Sequence, residues 1–474
     1  MPLNAIPPTT TVANFHEKLR AAEGKCWVDV GFYGGIIPGN TSELKALCRE
    51  GVRGFKGFMI DSGVEEFPAV DVSDITDVLI ELAEEDTVVM FHAEALPPEN
   101  TSITHDLTPE NLSTVLHSQR PHVAPPADQS SHSYATFLHS RPATYETTAI
   151  SQILSLAPLA PKLQLHIVHL SAAESIPLLR AARRDGIRIS AETCPHYLCL
   201  AAEEVEDGDT RFKCCPPIRS RANQDALWRE LVETEGVLEM VVSDHSPCTP
   251  ELKLLPERLG RVSRIGDGET EDRKDRTGGD GISVGQENTD DQMKQEIDGE
   301  QVEAKARRPE KGEENAGGAR DGQEREKEKE RGNFLDAWGG ISSLSLTLPV
   351  LFTELTTRRR HLLSPSSSIS STALLRITQW CTTATALHAG LSHRKGRLAP
   401  GFDADICIFN AGREWTITPE TLQFKHKVSP WVGRGCTGQV VETWIRGARV
   451  WSDEAGFGDG GPTGRVLVEP RRKR

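Results

Sequence analysis

Four side chains hold most of the chemistry this sequence offers: Lys56 in GFKGFM, His92 in VVMFHAE, His169 in LHIVHLS and Asp244 in LEMVVSD. Each lies in or at the end of a short apolar run. Imidazole and carboxylate are ligands for borderline and hard divalent ions. A protonated lysine repels such ions. An uncharged lysine amine instead adds CO₂ to give a carbamate, whose two oxygens are able to bridge two ions. Taken singly, each residue has an ordinary explanation. Lys56, between two aromatics, reads as a lysine snorkelling to solvent, and each histidine as a satisfied core residue. The coincidence of these residue types at successive strand ends is what points to a metal centre.

The runs that must position them read as strands: WVDVGFY (27–33), GFKGFM (54–59), VVMFHAE (88–94), LHIVHLS (165–171), IRISAET (187–193) and LEMVVSD (238–244). Amphipathic stretches lie between several of them, at SELKALCREG (42–51), VSDITDVLIELAEE (72–85) and AAESIPLLRAARRDG (172–186). That alternation predicts parallel βα units. Near-continuous apolar strands predict a sheet covered on both faces. No glycine-rich phosphate fingerprint follows a strand, and polar residues gather at the C-terminal strand ends. Both features favour a (β/α)₈ barrel over a doubly wound sheet. Beyond residue 395, KGRLAPGFDADICIFN (395–410), EWTITPE (414–420), GQVVETWIRGARVW (438–451) and GRVLVEP (464–470) read as short strands with Gly/Pro turns. The expected organisation is a barrel over 1–255 and 334–394, and a small β-sandwich-like domain and tail over 395–474.

The segment 256–333 separates the two barrel portions. It lacks Phe, Tyr, Trp, Cys and His and carries 16 Lys/Arg against 22 Asp/Glu. Such a composition buries too little apolar surface to offset ordering, so a disordered charged insertion is expected. EREKEKER (324–331) reads as a short solvated helix, SPSSSISSTA (364–373) as a loop and RRKR (471–474) as a frayed basic tail. Across all 474 residues, 54 Lys+Arg face 69 Asp+Glu, a net charge of -15. That balance argues against nucleic-acid or anionic-membrane partners. No run of 18 apolar residues suggests a membrane span, and MPLNAIPPTTT has no secretory pattern. Ten cysteines without a CxxC pair fit a reduced, cytoplasmic compartment.

Read together, GFKGFMIDSGVEEFPAV (54–70), FHAE (91–94), HIVHLS (166–171), ETCPHYL (192–198), KCCPPIR (213–219), VVSDHSPC (241–248), AWGGISSL (337–344) and FKHKVSPWVGR (424–434) resemble the motif set of the allantoinases. These belong to the cyclic-amide branch of the amidohydrolase superfamily, beside dihydroorotase and dihydropyrimidinase. The resemblance implies a (β/α)₈ barrel that opens the hydantoin ring of allantoin to allantoate, as a homo-oligomer acting on a small molecule. It implies Lys56 as a carboxylated lysine bridging two divalent ions, zinc being expected although manganese, cobalt and iron suit the same donors. It implies His92 and His169 on the second ion, and Asp244 on the first ion and as general base. Ser246, the backbone around Cys215 and Pro216, and Asn4 are implied ring contacts. His166 and His196 are read as supporting residues, and His245 has no assigned role.

One departure stands out. The family's first barrel strand ends in His-x-His, which holds the first ion, and none of the 15 histidines here forms that pattern. Met1 falls where the family has a methionine ending its second strand. Two readings follow: a coding sequence that starts further upstream, or a barrel short of strands, with raw edges, poor metal binding and no activity. Rival functions are another cyclic amidase, and a non-catalytic homologue that keeps the fold for assembly.

Overall fold

The computed structural model describes residues 5–97, 130–257, 259, 331–363 and 368–471. The charged insertion expected over 256–333, apart from its edges, lies outside the described residues, as do Asn4 and most of EREKEKER.

Six strands form one parallel sheet in chain order: β1 (Gly34–Gly35), β2 (Phe55–Phe58), β3 (Val88–His92), β4 (Gln164–Ile167), β5 (Ile189–Thr193) and β6 (Leu238–Val241). Helices Thr41–Arg49, Val72–Leu82, Ala143–Leu156, Ile176–Arg184 and Arg221–Val232 run between them. This is the barrel-type βα architecture that the alternating pattern predicts. The helix Val72–Leu82 shows why the elements form. Val72, Ile75, Val78, Leu79 and Leu82 recur at helical spacing and are all buried, while Asp71 and Asp74 close a capping box at its start.

Side chains alternate across each strand, so two populations separate. Phe55, Val89, Phe91, Leu165, Ile167, Ile189 and Ala191 join the main core beneath the helices. The other face looks into the barrel. There the register sets Lys56 beside Met90, Met90 beside His166, His166 beside Ser190, and Phe58 beside His92. A one-residue slip would exchange the two populations. Val88, Met90 and Val168, with Tyr33 packed on them, make a small separate cluster.

Several expectations need correction. WVDVGFY is not a sheet strand: Val30 makes an isolated bridge to Val466, and pairing with β2 begins at Gly34 and Gly35. A Cβ at Gly34 would stand 2.7 Å from the Phe55 ring, and one at Gly35 would stand 2.5 Å from the Phe67 ring, so glycine is required for this approach. The run 364–373 enters a helix at Ile369. GRVLVEP contributes the Val466 bridge and no strand. Among the described residues β1 and β6 do not pair with each other. The β1 edge instead receives Thr9, whose carbonyl accepts from Gly35 N at 2.7 Å, and Asn40 ties Thr10 and Gly35 together.

A second sheet, antiparallel in the order β10–β9–β8–β7, comprises β7 (Ile406–Thr416), β8 (Gly435–Ile445), β9 (Ala448–Ser452) and β10 (Gly456–Phe457). The runs at 395–410 and 414–420 supply one strand rather than two, with a register shift between Asn410 and Glu414. Phe352 meets Phe409 edge-on at 5.1 Å, which joins this sheet to the helix Thr347–Thr356. Among the described residues no helix is long and apolar enough to cross a membrane.

Candidate active site

Lys56 lies inside β2, His92 ends β3, and His169 and Asp244 follow β4 and β6 by a few residues. The structure brings all four to one centre. Lys56 acts electrostatically on His92, His169 and Asp244. Its ammonium sits 4.7 Å from the Phe58 ring centroid, and that ring stacks on His92 at 4.7 Å. Lys56 is 3% exposed, and burial pulls its pKa down against the opposing carboxylates Asp244 and Glu192. It is therefore not a snorkelling surface lysine.

His92 Nδ1 and His169 Nε2 face each other at 3.2 Å. On its far side, His92 Nε2 lies 2.7 Å from Glu94 Oε2. The Glu94 carboxylate accepts but does not donate, so the His92 proton resides on Nε2 and the Nδ1 lone pair points at His169. The Glu94 carboxyl is held below its ordinary range: burial opposes this, and Arg141 at 2.6 Å together with His92 outweighs it. His169 Nδ1 is buried with no hydrogen-bond partner. The separation of the two facing nitrogens is close to the roughly 3.3 Å that one tetrahedral ion with Zn–N near 2.05 Å requires. The donor set thus fits a divalent ion.

The backbone contributes too. His169 and Asp244 both have φ 41°, left-handed for residues that are not glycine. Such conformations cost about 1–3 kcal/mol and concentrate at functional sites. Glu192, on β5, takes a hydrogen bond from the His169 backbone. Burial pushes its carboxyl up to about 7, with His388 opposing and Asp244 adding to the rise.

Ser246 and Cys215 lie on either side of the Gly339–Gly340 pair. A Cβ at Gly340 would be 2.6 Å from Ser246 Oγ, and one at Gly339 would be 3.1 Å from Cys215 Sγ. The Pro216 carbonyl accepts from Tyr197 OH at 2.7 Å. His166 is a supporting residue, bonded to Ser190 Oγ at 2.8 Å and packed against His388 at 4.1 Å. His245 also has a role: its Nδ1 accepts from Ser343 N and Leu344 N, both at 3.1 Å, and so fixes the loop beside Asp244.

Sequence reasoning left out Glu94, Arg141 and Lys253. Glu94 had a signal, because it stands two residues after His92 and continues the same face. Arg141 had none. Lys253 is 3% exposed and donates to Lys213 O at 3.2 Å, Trp338 O at 3.0 Å and Gly340 O at 2.5 Å, clamping the loops that carry the Gly339–Gly340 pair.

A parallel βα barrel with lysine, histidine and aspartate converging at its strand ends defines a hydrolase of the amidohydrolase class. Residues 349–450 match the amidohydrolase family. The fold is that of L-hydantoinase (dihydropyrimidinase) from Arthrobacter aurescens, with TM-score 0.69 at 22% identity, covering 99% of this chain and 80% of that one. D-hydantoinase from a Bacillus species gives TM-score 0.63 at 23% identity, covering 98% and 78%. The sequence is 38% identical to the allantoinase of Saccharomyces cerevisiae over 474 residues, which is 100% of this chain and 78% of the yeast protein. It is 33% identical to the allantoinase of Streptomyces avermitilis over 467 residues, 98% of this chain and 78% of that protein. The chain belongs to the allantoinase family.

Proposed function

We propose that this chain opens the hydantoin ring of allantoin to allantoate at a binuclear divalent-metal centre, with Lys56 as a carbamate, His92, His169 and Asp244 as the protein ligands. The observation that carries this reading is the 3.2 Å approach of His92 Nδ1 to His169 Nε2, with Glu94 holding the His92 proton on the far side. Zinc suits the nitrogen donors.

When bound, the ions supply Lewis-acid polarisation of the ring carbonyl and a water acidic enough to attack near neutral pH. The chain's residues do the rest. Burial favours the uncharged amine of Lys56. That amine adds CO₂, forming one N–C bond and releasing one proton to solvent. Asp244 takes the proton of the attacking water and returns it to the leaving ring nitrogen. Ser246 and the backbone at Cys215 and Pro216 orient the ring across the Gly339–Gly340 pair.

The test is the purified, zinc-supplied chain against allantoin, hydantoin, dihydrouracil and dihydroorotate. Allantoate formation, with the other rings slower by about 100-fold or more in kcat/KM, supports the proposal. Preferential turnover of another ring, or bound metal with no turnover of any, overturns it.

A further inference from the structure

Cys194 and His196 flank the same centre and take no part in the reading above. Cys194 directly follows β5 and precedes the short helix Pro195–Cys199, which carries His196. Asp244 follows β6, the neighbouring strand. One ligand atom from each of Cys194, His196 and Asp244 lies within 4.8 Å of the others. Both ring nitrogens of His196 are buried without a hydrogen-bond partner, and the residue is 0% exposed. A buried polar atom left unpaired costs about 1–3 kcal/mol, and an ion bound at one of the two nitrogens would relieve that cost there.

A comparison inside the molecule sharpens this. Asp29, Asp403 and Asp405 also cluster, but Lys395 lies within 3.0 Å of all three carboxylates, and Arg446 also pairs with Asp29. Arg394 pairs with Asp403 at 2.9 Å, so three cations already face the three carboxylates. The Cys194 group offers instead a sulfur, a nitrogen and an oxygen donor, a mixture that suits zinc and leaves a fourth position open.

We propose that Cys194, His196 and Asp244 together bind a divalent transition-metal ion, with Cys194 as its thiolate ligand. The proposal rests on the reading of Asp244 as a metal ligand. A tetrahedral ion with Zn–S near 2.3 Å and Zn–N and Zn–O near 2.0 Å has its donors about 3.3–3.6 Å apart, so binding needs an inward movement of no more than roughly 1.5 Å. The thiol proton leaves to solvent as the S–metal bond forms, one proton for each ion bound.

The full chain, stripped of metal, is titrated with Co²⁺ and followed by absorption, with Zn²⁺ back-titration, proton release and metal analysis. The expected result is a thiolate-to-cobalt charge-transfer band that Zn²⁺ displaces. Cys194→Ser abolishes the band, and His196→Gln weakens the affinity on the order of 10-fold or more. Cys214→Ser and Cys215→Ser retain the band, which assigns it to Cys194. Far-ultraviolet circular dichroism of each metal-free variant shows whether it is folded. Absence of the band from the wild-type chain, or its survival in folded Cys194→Ser, overturns the proposal, as does unchanged affinity in folded His196→Gln. That last result would leave His196 a neighbour of the centre with no part in holding the ion. His92→Gln separates the two readings: it removes an ion without touching the band if both hold, and changes nothing if the His92–His169 assignment fails while this one stands.

Discussion

Replacing Glu94 tests the site where its electrostatics and its metal chemistry meet. Both donors converge on one oxygen: His92 Nε2 at 2.7 Å and Arg141 Nη1 at 2.6 Å meet Glu94 Oε2. The carboxylate is 0% exposed and the Arg141 side chain 12%. In Glu94→Ala the arginine keeps its charge but loses its counter-ion, and breaking a buried pair in this way costs about 3–5 kcal/mol. Glu94→Gln keeps the shape and a neutral acceptor. The His92 bond becomes a neutral one and the Arg141 bond keeps only the guanidinium charge, a loss of about 2 kcal/mol. The glutamine also frees the His92 tautomer, because its amide presents either a donor or an acceptor to Nε2. Loss of a carboxylate behind a ligating histidine lowers metal affinity by about 10–100-fold. The assay is chelator-competition titration of zinc on metal-free wild type and both variants, with urea melts of the same samples. The expected order of stability is wild type, then Gln, then Ala, with both variants weaker for zinc. Zinc affinity in Glu94→Gln equal to that of wild type would refute the argument that Glu94 sets the proton on His92.

Four further outcomes follow from other parts of the molecule. Asp29 contacts Lys395 at 2.6 Å and Arg446, and although burial opposes it, these partners hold its carboxyl at about 2, below the ordinary 3.8. The unfolded chain binds that proton first on acidification, so the stabilisation is complete above about pH 4 and fades toward pH 2. Urea midpoints across that window should fall for wild type and stay flatter for Asp29→Asn. Deleting 464–474 removes the Gly464 and Leu467 hydrogen bonds to Cys26 and Val30 and one carbonyl that receives buried Arg53. A clear drop in melting temperature by calorimetry is expected, from a loss of about 3 kcal/mol or more. Gly340→Ala sets a Cβ 2.6 Å from the Ser246 carbonyl. That should displace Ser246 and lower kcat/KM for allantoin by about 10–100-fold, with zinc binding retained. Lys253→Met leaves the Trp338 and Gly340 carbonyls without their side-chain donor, while the Lys213 carbonyl keeps Gly340 N at 2.9 Å, and a loss of about 2–4 kcal/mol in urea melts checks the clamp.

The barrel strands were legible where hydrophobic runs are long. VVMFHAE became β3, which ends in His92, and LHIVHLS became β4, with His169 two residues beyond its end, because a strand buried on both faces must be apolar throughout. WVDVGFY misled for a related reason. Its β-branched and aromatic residues suit a strand, yet sheet pairing falls on Gly34–Gly35, where the crowding of Phe55 and Phe67 excludes any side chain. That crowding is tertiary and has no local signature. The same limit applies at the site. Lys56, His92, His169 and Asp244 stood out by type and by place on a strand. Arg141 acts from the end of the helix Tyr134–Ser140 and Lys253 from a 3₁₀ turn, and long side chains that reach across the fold leave no periodicity to read. His196 was set aside because it matched no expected ligand, and what recommends it is a pair of unpartnered nitrogens in a sealed environment.

Strand ends fix where the candidate site residues begin, and loops and buried charges fix where they finish. The polar framework continues outward from the candidate centre: His92 leans on Glu94, Glu94 on Arg141, and the Arg141 carbonyl accepts from Arg219 at 3.3 Å. Arg219 pairs with Glu146 at 2.8 Å, and Glu146 accepts from Ser171 N at 2.9 Å and Ala172 N at 3.1 Å, on the segment that follows His169. The path therefore starts at one histidine of the pair and returns to the chain beside the other. A network with both ends anchored at the two histidines resists their separation more than two independent strand ends would. Each of its charges is matched, which is the condition under which burying them is tolerable. If this closure holds the pair at 3.2 Å, Glu146→Gln should loosen zinc binding although Glu146 touches neither histidine. The effect should be non-additive with Glu94→Gln, since both act on one unit. Additive losses in the double variant would show two separate supports, and the idea of a closed framework would fall.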